Sequence, residues 1–140
     1  MQVKTTGQLE QELSACTHVE DYLKGNTLLT EGSSVGEALT CLMEEKGLRR
    51  ADVIERSNLN TIYAYQIFSG RRQPARDKLL CLCLAMKLDA EECQKLLKHC
   101  GYPPLYARKQ RDSLILFGFH KHQTVLEVNE QLQLWGEELL

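Results

Sequence analysis

The sequence predicts an all-α protein. Apolar residues recur at three- and four-residue steps in nearly every segment, helix-start and helix-stop residues bracket those stretches, and no convincing two-residue alternation of a strand appears. Thr6 to Lys24 sets Leu9, Leu13, Cys16, Val19, Tyr22 and Leu23 on one amphipathic stripe, which Gly25 and Asn26 end. Residues 30–34 read as a linker. Ser34 to Glu37 has capping-box spacing and opens a helix lined by Val35, Leu39, Leu42 and Met43, which Gly47 stops. Two short helices follow, about 50–57 and 61–69, separated by Asn58, Leu59 and Asn60. The stretch from Gly70 to Pro74 is a break. A helix over about 76–87 carries Leu79, Leu80, Leu82, Cys83 and Met86, and Asp89 with Glu92 offers a second capping box for a helix reaching His99. Gly101 to Pro104 punctuates the chain, and the last helices run over about 109–122 and onward from Thr124, whose cap spacing to Glu127 repeats the motif.

The last two helical pairs look like copies. A shift of 35 residues lays Arg76, Asp77 and Leu79 on Arg111, Asp112 and Leu114, Glu92 on Glu127, Leu97 on Leu132 and Gly101 on Gly136. A hairpin of this length resembles one unit of a stacked-hairpin array. Two units are too few for a free-standing array, so the second is expected to pack on the first and extend its core. The sequence divides into an N-terminal helix and linker over 1–33, a central domain over 34–101 and a C-terminal hairpin over 102–140.

Composition limits the function classes. The chain has 140 residues, 43% of them apolar and 26% charged, which is one domain's worth with enough apolar mass for a core. The longest apolar run, Leu79 to Met86, is far short of a membrane span. The N-terminus lacks the apolar stretch of a secretory signal, so the chain is expected to be cytoplasmic, with no membrane partner. The six cysteines form no C-x-x-C pair and lie mostly in apolar helical patterns, where a thiol behaves as a small buried hydrophobe. The alternative, a metal site using Cys93, His99 and Cys100, lacks the paired short spacings of structural zinc, so no metal or cofactor is expected.

Charge is unevenly spread. Residues 49–78 hold seven basic residues against three acids, a local +4, which leaves ten basic and sixteen acidic residues, or −6, elsewhere. A basic island in an acidic chain suits one face that meets a polyanion, although a solvated helical surface has the same composition.

Residues 35–92 resemble the helix-turn-helix domain of the lambda-repressor-like (XRE) family of DNA-binding regulators. The similarity runs without a gap from Gly47 to Gly70 and continues through Arg71, Arg72, Pro74, Leu79 and Leu80. Leu48, Val53, Ile54, Leu59, Ala64 and Ile67 fall where that family buries apolar residues, and Asn58 occupies a tight turn that favours positive φ. The resemblance implies that the helix over about 61–69 enters the major groove of double-stranded DNA. Carried over by position, Asn60, Thr61, Ile62, Tyr65 and Gln66 would read bases, while Arg49, Arg50, Ser69, Arg71 and Arg72 would hold phosphates. Two positions depart from the family, which often has Gln where this chain has Arg50 and an acid where it has Phe68. The outward face is also rich in Ile and Tyr.

The expected function is therefore sequence-specific regulation of transcription by a homodimer, because such domains commonly grip paired half-sites. The alternative is a protein-interaction adaptor of the same fold, with Ile62 and Tyr65 as partner anchors. The N-terminal helix or the C-terminal hairpin could also serve a protein partner. An enzyme is not expected: the sequence has no Gly-rich phosphate loop, no nucleophile elbow and no H-E-x-x-H, and the adjacent carboxylates Glu44-Glu45 and Glu91-Glu92 diverge by about 100° on a helix.

Overall fold

The computed structural model describes residues 34–140, so the amphipathic helix expected over 6–24 and its linker lie outside the described residues. Among the described residues there are seven helices and no strand: α1 (Val35–Lys46), α2 (Arg50–Arg56), α3 (Thr61–Phe68), α4 (Arg76–Ala85), α5 (Ala90–His99), α6 (Gln110–His120) and α7 (Val125–Leu134). Each begins and ends close to where its caps stand in the sequence.

The Ser34 hydroxyl accepts the amide of Glu37 at 3.1 Å and starts α1. Gly47, at φ 65°, ends it, with the amide of Leu48 returning to the Met43 carbonyl at 2.9 Å. The turn between α2 and α3 satisfies itself. The buried Ser57 hydroxyl donates to Ile54 O at 2.6 Å and accepts Leu59 N at 3.2 Å, so its burial leaves no orphaned group. Asn58 adopts φ 61°, the left-handed conformation expected of it.

Neither α2 nor α3 could bury its apolar face alone, so both depend on neighbours. α1 packs on α3 and α2 on α4. The first contact is very close: a Cβ at Gly36 would lie 2.5 Å from the Phe68 carbonyl oxygen and 2.7 Å from that of Ile67. Arg56 Nε donates to the Ala85 carbonyl at 3.2 Å, satisfying an acceptor that the end of α4 leaves open. Lys46 bridges to Glu92 at 3.2 Å, tying the end of α1 to the first turn of α5.

The two hairpins, α4–α5 and α6–α7, reproduce one another in detail. Asp89 with Glu92 and Thr124 with Glu127 form complete capping boxes. Lys87 and His122, 35 residues apart, both take positive φ, at 57° and 53°. After α5, Arg76 gathers the carbonyls of Pro103 and Pro104, and after α7, Arg111 gathers those of Glu138 and Leu139. The Gln94 side-chain oxygen receives the amide of Leu105, as that of Asn129 receives the amide of Leu140.

The hairpins do not stack by translation. α5 packs on α6 while α4 packs on α7, and those two contacts exchange when the hairpins are exchanged. The charges obey the same rule: Arg76 pairs with Asp112 at 3.3 Å, and Arg111 pairs with Asp77 at 3.0 Å. Reciprocity of this kind marks a pseudo-two-fold axis and a pair that closes on itself. The Arg-Asp dipeptides at 76–77 and 111–112 therefore bridge between hairpins. A single apolar core, from Val35 to Leu132, runs through the helices on both sides of residue 101.

Candidate nucleic-acid interface

α3 is short and amphipathic. Ala64, Ile67 and Phe68 are buried, which turns the opposite stripe outward. Thr61, Ile62, Tyr65 and Ser69 are exposed and Gln66 half-buried; Ile62 is 70% exposed and Tyr65 44%. Asn60, also exposed, is the N-cap: its Oδ1 accepts the Tyr63 amide at 3.1 Å, so that atom is committed to starting the helix.

The loop beyond Gly70 is fastened to the same helix. The Gln66 carbonyl accepts the amides of Arg71 at 2.9 Å and Arg72 at 3.2 Å, and the Ser69 hydroxyl at 3.1 Å. The Arg72 side chain folds back, with Nε donating to Gln66 Oε1 at 3.2 Å and the guanidinium lying 5.7 Å from the centre of the Tyr63 ring. Pro74 is buried, and its carbonyl accepts the Tyr102 hydroxyl. Burial, with Cys100 and Tyr63 alongside, pushes that hydroxyl above the usual phenol range, so it remains a donor.

Arg49, Arg50, Arg71 and Arg72 are all exposed around this stripe. Arg49 faces Asp52 at 3.8 Å across solvent, which is a weak pairing. Arg50 lies over Phe68, 5.4 Å from the ring centre, and the Phe68 side chain is itself part of the core. No carboxylate occurs between Glu55 and Asp77 in the sequence, so the stripe and its loop carry only positive charge. Asn60 to Ser69 lie on or at the ends of this helix, Arg71 and Arg72 are fastened to it, and Arg50 reaches it through Phe68, whereas the Arg49 side chain faces Asp52 on α2. Sequence reasoning missed Tyr63 and Tyr102, which support the loop from outside the expected set. Tyr63 stands three residues before Gln66 and could have been suspected from that spacing.

The remaining candidates show no comparable convergence. Among the described residues no group of three or more His, Cys, Asp or Glu could hold a metal ion, Cys93, His99 and Cys100 included. The described cysteines, Cys41, Cys81, Cys83, Cys93 and Cys100, are free thiols. Cys83 sits against Cys93, and that thiol contact together with complete burial raises Cys83 well above its ordinary range. No described helix is long and apolar enough to cross a membrane. A hollow of about 530 Å³ opens beside Arg76, Tyr106, Lys109 and Arg111, but both arginines are already engaged by carboxylates and carbonyls.

Comparison with protein-family models, with curated proteins and with solved structures finds no match for the chain.

Proposed function

We propose that the α3 face binds double-stranded DNA and that the chain is a sequence-specific regulator of transcription. One observation carries this reading. The stripe of exposed Thr61, Ile62 and Tyr65 and half-buried Gln66 is accompanied by four exposed arginines, and the chain from the start of α3 through Arg71 and Arg72 holds no acid. An α-helix fits the major groove, where the Gln66 amide can hydrogen-bond a base edge and Ile62 can meet a thymine methyl. Arg49, Arg50, Arg71 and Arg72 would lie along the phosphates and fix register, with Ser69 at the helix end exchanging its hydroxyl bond to the Gln66 carbonyl for one to the same strand. The reading requires no catalysis, metal or cofactor. Two copies would place two such helices about 34 Å apart, one turn of duplex.

A second reading rests on Ile62, which at 70% exposure is an unusual residue to leave in water on a helix of this size. Together with Tyr65 it would anchor a protein partner, for which Tyr and Arg are favoured residues. Titrating the full chain into a randomised duplex pool at several salt concentrations separates the two. The DNA reading predicts binding whose logarithm falls linearly with the logarithm of salt, and enrichment of a common sequence. Absence of duplex binding even at low salt would leave the adaptor reading standing.

A further inference from the structure

The pseudo-two-fold relation between the hairpins exposes a difference between them. On α4, the face formed by Leu79, Leu82, Ala85 and Met86 is buried, and α2 packs on that helix, Arg56 Nε reaching the Ala85 carbonyl. A shift of 35 residues carries that face onto Leu114, Phe117, His120 and Lys121 of α6. Among the described residues this face is covered only in part: Leu114 is half-buried against the core, but Phe117 is 50% exposed where its counterpart Leu82 is fully buried, and His120 and Lys121 are exposed. Lys121 leans over Phe117, its Nζ 5.8 Å from the ring centre. The helix of the second hairpin that corresponds to α4 thus leaves exposed a face that is buried in the first.

We propose that this α6 face is the docking surface for residues 6–24 of the same chain. Three features of that segment fit it. Its stripe of Leu9, Leu13, Cys16, Val19, Tyr22 and Leu23 needs apolar cover that a lone helix cannot supply. It carries Glu10, Glu12, Glu20 and Asp21 against Lys24, a charge of −3, whereas the exposed α6 face has His120 and Lys121 and no acid. It also reaches: residues 25–33, extended, span about 30 Å, against a radius of gyration of about 13 Å for a domain the size of residues 34–140. The docked segment would fill on the second hairpin the role that α2 fills on the first.

The test uses the full chain with its native Cys16 as the probe. His120→Cys places a thiol beside Phe117, and Ser69→Cys places one on the α3 face as a control. Each protein is treated with a short bismaleimide at low micromolar concentration, and linked peptides are identified by mass spectrometry. The proposal expects an intrachain link from Cys16 to position 120 at least tenfold above that to position 69. It also expects Leu13→Asp, which leaves α6 intact, to abolish the link. A preference for position 69, equal yields, links chiefly between two chains, or no link at all would each overturn it. Persistence of the link in Leu13→Asp would do the same.

Discussion

Arg72 Nε donates to Gln66 Oε1 at 3.2 Å, so an arginine of the loop holds the amide of a helix residue in one orientation. Arginine has only donors, so the atom facing it must be the Gln66 oxygen, and Nε2 is left to point elsewhere. On the proposed function, Arg72 therefore both adds positive charge and positions Gln66. Arg72→Lys keeps the charge and loses the planar donor. It should leave random-duplex affinity and salt slope nearly unchanged while lowering preference for the selected sequence. Gln66→Ala should lose about 1–3 kcal/mol at the same base pair. If Arg72→Lys retains full selectivity, Arg72 contributes charge alone.

Among the described residues Arg49 meets one carboxylate, Asp52, at 3.8 Å and open to solvent, and Arg71 is in no ion pair. Replacing either with Ala should weaken every duplex to a similar degree and reduce the salt slope by about one unit. A slope that does not move would mean that the residue stands off the phosphates.

The two reciprocal ion pairs differ in burial, and their loss should differ accordingly. Asp112 is 6% exposed and accepts Arg76 and the Tyr106 amide, so Asp112→Ala leaves the Arg76 charge with only the Pro103 and Pro104 carbonyls and strands a backbone donor. Asp77, across the pseudo-dyad, has a side chain 34% exposed to water. We expect about 3 kcal/mol for Asp112→Ala and about 1 kcal/mol for Asp77→Ala in urea unfolding. Equal losses would show that burial does not govern these bridges.

Helix positions were legible because their stop and start signals are local: Gly47, Asn58, Asp89 and Thr124 each act within four residues of chain. The outward stripe of α3 was legible for a similar reason, since three inward residues on an eight-residue helix leave only one face for solvent. The 35-residue offset is visible too, and with it the packing of one hairpin on the other, but not the two-fold relation between them. Identity between copies records that two hairpins are alike and says nothing about which faces meet. Arg76–Asp112 and the reach of Tyr102 to Pro74 join residues 36 and 28 apart, and no local pattern encodes either.

Burial raises the thiols of Cys81 and Cys100 from 9.0 to about 11. The folded state favours the protonated thiol, so this stabilisation is complete below pH 9 and is lost as pH climbs from 9 towards 11. Melting temperature should therefore fall between pH 8 and pH 10.5. The fall should be smaller in a Cys81→Ala, Cys100→Ala variant, whatever the variant's starting stability. An identical fall in both proteins would assign the alkaline loss to other groups.

Two glycines mark close approaches of different kinds. A Cβ at Gly36 would meet backbone, the carbonyls of Ile67 and Phe68, whereas at Gly118 it would meet Val128 Cγ2 at 2.5 Å. Backbone at the end of α3 cannot yield without moving the helix, but a side chain can be shortened. Gly36→Ala should cost about 1–3 kcal/mol by overpacking. Because it displaces α3 from α1, it should also weaken duplex binding more than its stability loss explains. Gly118→Ala should cost a similar amount alone and recover most of it when combined with Val128→Ala, leaving duplex binding untouched. Additive losses in that double variant would mean that the α6–α7 crossing is held by something other than the Val128 methyl.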